Sequence, residues 1–338
     1  MKNKIECLLL SFLLLIILSC TKNYSKQEET PKPTESKANL RVSNAVIYEG
    51  NYKNNDSLDN TFFIRYYPDA QTKRPLIIAI HGGGFTQRDK TDYNLPATAQ
   101  LINSNQSVNV LTAADLDNNG FAYASINYTL LADGKNVTVK QCLQDGKTFF
   151  DYIRTHADEY NIDKNKIILL GDSGGAEISL WIGLQSEKNG GAVKGIVALN
   201  PQASMNILKW NDEVFAPYNA SDVLLNQYIE WGQTKVDKRL LRMYGTKDNA
   251  QINAYSLENK LHLLDLIDSS DPELYMACGA PRKDAVHAPY HILALKQKSQ
   301  NRGHSAKINF IDGNPPYYST YWNPSPETVI HFCVRKCQ

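Results

Sequence analysis

Apolar positions follow two rhythms along this chain, and the order in which they alternate predicts the architecture. Nearly continuous runs rich in β-branched residues occur at Pro75-Leu76-Ile77-Ile78-Ala79-Ile80, Phe121-Ala122-Tyr123-Ala124-Ser125-Ile126, Lys166-Ile167-Ile168-Leu169-Leu170 and Val193 to Leu199. Such runs read as short strands buried on both faces. Earlier, Val46-Ile47-Tyr48 and Phe62 to Tyr67 alternate in strand fashion, with Pro68-Asp69-Ala70 as the following turn, and predict an opening antiparallel hairpin. Between the buried strands lie helical patterns. Gln141 to Tyr160 is amphipathic, with Leu143, Phe149, Phe150, Tyr152 and Ile153 apolar, and positions 178, 181, 182 and 184 form an apolar helix face. A hairpin followed by alternating helices and strands predicts an α/β domain with a mostly parallel central sheet flanked by helices. From about residue 204 to 271 the pattern becomes irregular and aromatic, with Trp210, Phe215, Tyr218, Tyr228 and Trp231, and reads as a cap insertion.

The first residues follow a different logic. Lys2 and Lys4 precede an apolar run from Cys7 to Leu18, too short for a membrane span and of the length of a signal-peptide core. Ile17-Leu18-Ser19-Cys20 resembles a bacterial lipoprotein cleavage box, which implies removal of residues 1–19, lipidation of Cys20 and a place at the cell envelope. Residues 20–40 are rich in Lys, Glu, Ser, Thr and Pro, the composition of a disordered tether, so the folded domain is expected over 41–338. With 42% hydrophobic residues in 338, a large single core is affordable, and a formal net charge of +1 offers no argument for a nucleic-acid partner. Four cysteines remain after the signal and Cys20, namely Cys142, Cys278, Cys333 and Cys337. Their pairing is open, since four allow three connectivities.

Chemistry concentrates at two strand ends. Gly171-Asp172-Ser173-Gly174-Gly175 places a serine between glycines two residues away on either side, where a strand passes into a helix. Glycines there permit a tight turn that lifts the hydroxyl above the sheet. Upstream, His81-Gly82-Gly83-Gly84-Phe85 follows a buried strand. Together the two motifs resemble the α/β-hydrolase fold, specifically its esterases and lipases with an HGGG loop, over about residues 60 to 312. The resemblance implies a serine nucleophile at Ser173, an acyl-enzyme, and an oxyanion hole from the backbone amides of Gly82, Gly83 and Gly174, with His81 shaping the loop. It implies no cofactor. Among exported enzymes of this kind, acetyl and feruloyl esterases acting on carbohydrate are common, and Tyr317, Tyr318, Tyr321 and Trp322 are candidates for stacking a sugar or aryl ring. A peptidase of the same fold, or a binding protein that keeps the elbow without catalysis, are the rival readings.

The acid and base are less plainly marked. His156, His262 and His331 read as packing or surface residues, which leaves His287, His291 and His304. One threading makes Arg239 to Asp248 the penultimate strand, with Asp248 of Gly245-Thr246-Lys247-Asp248 at its end as the acid, and Glu273 to Cys278 the last strand. The other opens that strand with Asp271-Pro272-Glu273, takes Asp284 as the acid, and assigns Lys307 to Asp312 to the last strand. The second leaves no strand unused and is preferred, although no histidine stands directly after Asp312, from Gly313 to Tyr318. His287 follows a strand in either threading, and parallel sheets gather ligands at the carboxyl ends of their strands, so His287 is the expected base. His287 and His291 stand four apart, but no third ligand accompanies them, and no metal site is expected.

Overall fold

Strands whose two faces are both apolar must be covered on both sides, and this chain covers them. The computed structural model describes residues 40–42, 45–53, 55, 57–93, 111–133, 136–185, 191–278, 284–303, 306–310 and 327–338. Cys20 and the segment before residue 40, His304, Asp312 and the Tyr317, Tyr318, Tyr321 and Trp322 cluster lie outside the described residues. The chain opens with β1 (Leu40–Val42), β2 (Ala45–Asn51) and β3 (Thr61–Tyr66), then β4 (Arg74–Ile80), the short helix α1 (Ala113–Asn119) and β5 (Ala122–Ile126). Helix α2 (Val139–Thr155), strand β6 (Ile162–Asp172), helix α3 (Gly174–Gly183) and strand β7 (Val193–Leu199) follow. The remainder is α4 (Ser221–Tyr244), α5 (Asn249–Glu258), β8 (Glu273–Cys278), α6 (Tyr290–Asn301), β9 (Ala306–Phe310) and α7 (Val329–Cys337).

All nine described strands form one sheet in the order β1-β2-β3-β5-β4-β6-β7-β8-β9. Pairings from β1 to β5 are antiparallel and those from β5 through β4 to β9 are parallel. Successive side chains of the central strands go to opposite cores. Leu76, Ile78, Ile80, Leu169 and Ile196 pack under α2, α3 and the 204–271 insertion, whereas Ile77, Ala79, Ile168, Leu170 and Val197 pack against Leu116 of α1 and Phe332 of α7. This is the α/β-hydrolase arrangement expected from the pattern, with strands β4, β6 and β8 ending on the same edge.

Two expectations change. Arg239 to Tyr244 is helix, the end of α4, so the threading with Asp248 as acid fails. Gly245 closes α4 in a left-handed C-cap and Asp248 is the N-cap of α5, accepting from the Gln251 amide. The G-T-x-D stretch is therefore a link between two helices. The 204–271 insertion is largely helical. Its pattern looked irregular because Gly232, at φ 65°, interrupts α4, and because Leu225 and Ile229 of that helix face solvent. The cysteines Cys142, Cys278, Cys333 and Cys337 are all buried. Cys142 donates to the Thr129 carbonyl and Cys278 to the carbonyl of His287.

Candidate active site

Strand β6 delivers Ser173 to the edge of the sheet, and the turn into α3 is as tight as the glycine spacing requires. Ser173 sits at φ 50° and ψ −120°, a conformation that costs a non-glycine residue roughly 1–3 kcal/mol. A Cβ on Gly171 would lie 2.2 Å from the Gly175 carbonyl oxygen, and one on Gly175 would lie 2.0 Å from that of Ile80. The helix thus rides directly against strand backbone, and the hydroxyl is held out at its N-terminus.

Two other chain segments converge on that hydroxyl. Ser173 Oγ lies 2.9 Å from Nε2 of His287, and Nδ1 of the same ring lies 2.9 Å from Oδ2 of Asp284. Asp284 and His287 belong to the turn between β8 and α6, where the Val286 amide donates to Asp284 Oδ1 at 3.0 Å. Burial alone would raise the Asp284 carboxyl, but His287 and the adjoining amides outweigh it and hold the carboxyl below its ordinary value. A carboxylate at Nδ1 selects the tautomer with the proton on that nitrogen, which leaves Nε2 free to accept from the serine. The sequence-derived trio of Ser173, His287 and Asp284 is thus brought within hydrogen-bond reach, while Asp248 stands exposed in another place.

His291 has a different task. Its Nδ1 accepts from the Ala203 amide at 3.2 Å and its Nε2 pairs with the Ala285 carbonyl at 3.0 Å, tying the turn between β8 and α6 to the chain just before the insertion. Burial lowers its pKa from 6.5 to about 4, with Asp284 opposing and His287 and Arg239 assisting the shift. Because the folded value lies below the unfolded one, the unfolded chain binds the extra proton between pH 6.5 and about 4. Stability is therefore full above pH 6.5 and is expected to fall by about 3 kcal/mol as pH drops through that window. Urea midpoints at several pH values check this. His291→Gln should melt lower at pH 7 and lose this part of the acid dependence, and an unchanged slope would contradict the assignment.

The glycine loop after β4 forms the opposite wall. Gly83, Gly84 and Phe85 all have positive φ, and a Cβ on Gly83 would lie 2.1 Å from the Gln87 carbonyl oxygen. Two groups pin this loop, neither marked by any sequence signal. The Tyr128 hydroxyl donates to the carbonyls of His81 at 2.9 Å and Gly82 at 3.1 Å, and the Leu131 amide donates to Phe85 at 2.7 Å. His81 is buried and stacks on Tyr128 with ring centroids 4.3 Å apart, in keeping with a shaping role. Gly82 packs behind the serine against Asp172, whereas Gly83 and Gly84 border the open space. Gly174, on the first turn of α3, has an amide with no acceptor inside its own helix.

Between these walls lies a cavity of about 350 Å³ that contains Ser173 and His287. Its lining is polar, including Gln87, Arg88, Asn200, Gln202 and Arg239. Asp172 also faces it; burial pushes its carboxyl upward, against the hydrogen bond that Asn200 donates at 2.9 Å. Among the described residues no group of three or more His, Cys, Asp or Glu side chains is arranged to hold a metal.

Solved structures of similar fold are distant in sequence. A sugar hydrolase from Lactococcus lactis is 17% identical with a TM-score of 0.50, the alignment covering 85% of this chain and 94% of that one. A truncated carbohydrate esterase from gut microbiota is 18% identical with a TM-score of 0.51, covering 79% of this chain and 88% of the other. A bifunctional GH43-CE protein from Bacteroides eggerthii is 16% identical with a TM-score of 0.60, covering 88% of this chain and 39% of that one. At such identities the likeness speaks to fold. Comparison with curated protein sequences finds no significant match. The BD-FAE family model matches residues 64–281, more than half of the chain and the stretch from within β3 to past the end of β8, and the chain belongs to this family, of α/β-hydrolase esterase type.

Proposed function

We propose that this protein is a carboxylic ester hydrolase that works through an acyl-enzyme on Ser173, with acetylated or feruloylated carbohydrate as its substrate class. The observation that carries the reading is the relay Ser173–His287–Asp284, with both links at 2.9 Å. In this mechanism Ser173 Oγ attacks the acyl carbon as its proton passes to His287 Nε2. The oxyanion forms against backbone amides of Gly82, Gly83 and Gly174, with Gly84 beside Gly83 as a further donor at the cavity wall. Collapse expels the alcohol, which takes the proton from His287. A water then attacks the acyl carbon with the same imidazole as base, freeing the acid and Ser173. No metal or organic cofactor takes part in any of these steps.

The carbohydrate assignment draws on the polar cavity lining and on the carbohydrate-directed titles of two of the structural neighbours. A fluorophosphonate probe tests the core of the reading: it should label the wild type and leave Ser173→Ala unlabelled. Absence of labelling in folded wild-type protein would return the rival binding-protein reading, and faster turnover of peptide than ester substrates would favour a peptidase. We also propose that the mature protein is held at the bacterial envelope through lipidated Cys20. Metabolic labelling with a radioactive fatty acid, lost in Cys20→Ala, is the expected result, and equal labelling of both would defeat it.

A further inference from the structure

A second cavity, of about 280 Å³, adjoins the one containing Ser173, and Gly84 and Arg239 border both. Its floor includes Leu131 and Met243, and its wall is the kinked helix α4. After the kink at Gly232, Lys235, Lys238, Arg239 and Arg242 recur at the three- and four-residue intervals that place them on one face, and all four line this cavity. A cationic helix face ordinarily points into bulk water. Lys235 and Lys238 are exposed to solvent here too, but this face also borders a cavity that adjoins the catalytic centre through Arg239.

The charges are unevenly matched. Arg242 is paired through two hydrogen bonds with Asp133, at 2.7 and 3.1 Å. Lys235, Lys238 and Arg239 have no carboxylate within ion-pair distance among the described residues, and Arg239 Nε is buried without a hydrogen-bond partner. The nearby carboxylate of Asp237 is engaged by Lys247 instead. Glu177 of α3 also acts on Arg239, but it is fully buried, and burial pushes its carboxyl well above the usual range, toward the uncharged acid. Trp231 completes the wall. The Arg239 guanidinium lies over its ring 5.5 Å from the centre and the Lys235 ammonium over it at 5.6 Å, so these cations rest against an aromatic plane and not against a carboxylate.

We infer that this second cavity is a subsite for an acidic sugar: it binds the carboxylate of a uronic acid in the alcohol half of the ester, through Lys235, Lys238 and Arg239 beside Trp231. The inference rests on the ester-hydrolase reading of Ser173. An aromatic face suits the apolar face of a pyranose ring, and a guanidinium matches a carboxylate in two parallel hydrogen bonds.

Two esters that differ only at C6 test it: methyl O-acetyl-glucuronoside and methyl O-acetyl-glucoside. The ratio of kcat/KM, acidic over neutral, is expected to be about tenfold in favour of the acid, the size of one hydrogen bond to a charged group. In the double variant Lys235→Gln/Lys238→Gln, and separately in Arg239→Gln, the ratio should fall several-fold toward one, and in about 1 M salt it should fall in the wild type. A wild-type ratio near one, or a preference that survives all of these changes, overturns the subsite while Ser173-dependent acetate release leaves the hydrolase reading intact. A preference shown only for 4-nitrophenyl hemisuccinate over 4-nitrophenyl acetate would put the acid in the acyl half and likewise overturn it. If no ester is cleaved, the hydrolase reading fails by itself, and calorimetry on Ser173→Ala protein decides the subsite. Tighter, salt-sensitive binding of a glucuronate-bearing trisaccharide than of the neutral one upholds it; equal binding does not.

Discussion

Replacing Ser173 by alanine is expected to lower kcat on 4-nitrophenyl acetate by about 10⁵–10⁶-fold, with a residual rate above that in water left by the oxyanion donors. The size follows from what is lost: the nucleophile itself, so no acyl-enzyme forms and neither His287 nor Asp284 has a proton transfer to serve. The same position offers a second readout that separates chemistry from folding. Ser173 is held at φ 50° by the turn between β6 and α3, and a glycine there carries no Cβ to strain. Ser173→Gly should therefore be as inactive as the alanine variant yet melt higher, by roughly 2 °C for about 1 kcal/mol of relieved strain in a domain of this size. An inactive variant with a raised melting temperature is the signature of backbone strain held at a working residue. Retention of more than a hundredth of the wild-type rate in Ser173→Ala would remove the acyl-enzyme from consideration.

The parts of this molecule that were legible in the sequence are those written in local spacing. Runs such as Leu76 to Ile80 and Val193 to Leu199 read as doubly buried strands because both of their faces are apolar, and they occupy the centre of the sheet. Gly171 and Gly175 announce the turn because each lies where a Cβ would strike backbone. Ambiguity entered where the same residues fit two periods. Arg239 to Tyr244 is short, has four apolar residues between and after its two arginines and is followed by G-T-x-D, so it passes for a strand, and only the longer pattern from Ser221 shows helix. The preferred threading rested on counting strands, a global argument, and the parallel pairing of β8 with β9 agrees with it.

Other contributions had no sequence signal because they join residues far apart in the chain. Tyr128 holds carbonyls of the glycine loop from the end of β5, Asn200 binds Asp172 from the end of β7, and Arg239 reaches the catalytic cavity from the insertion. Each is an ordinary polar residue in its own segment, and sheet closure gives it its partner. The histidine shows the same effect from the other side. None stands directly after Asp312, where the resemblance leads one to look, yet His287 on the preceding turn is within 2.9 Å of Ser173 Oγ.

Asp284→Asn is expected to lower kcat by about 10⁴-fold with little change in KM, although it alters the side chain by a single atom type. The wild-type carboxylate accepts from Nδ1–H of His287 and thereby leaves Nε2 bare toward Ser173. An asparagine can turn its amide donor toward Nδ1, favouring the tautomer with the proton on Nε2; the serine then faces a donor and has nowhere to send its proton. An asparagine also carries no charge to stabilise the imidazolium formed on attack. Asp248→Asn supplies the matched control. Asp248 is an exposed helix N-cap, a place asparagine fills as well as aspartate, so its rate should stay within roughly twofold of the wild type. If Asp284→Asn keeps a tenth of the activity, Asp284 does not orient the base. If Asp248→Asn shows the 10⁴-fold loss instead, the carboxylate that matters lies at the head of α5 and the relay through the β8–α6 turn is wrong.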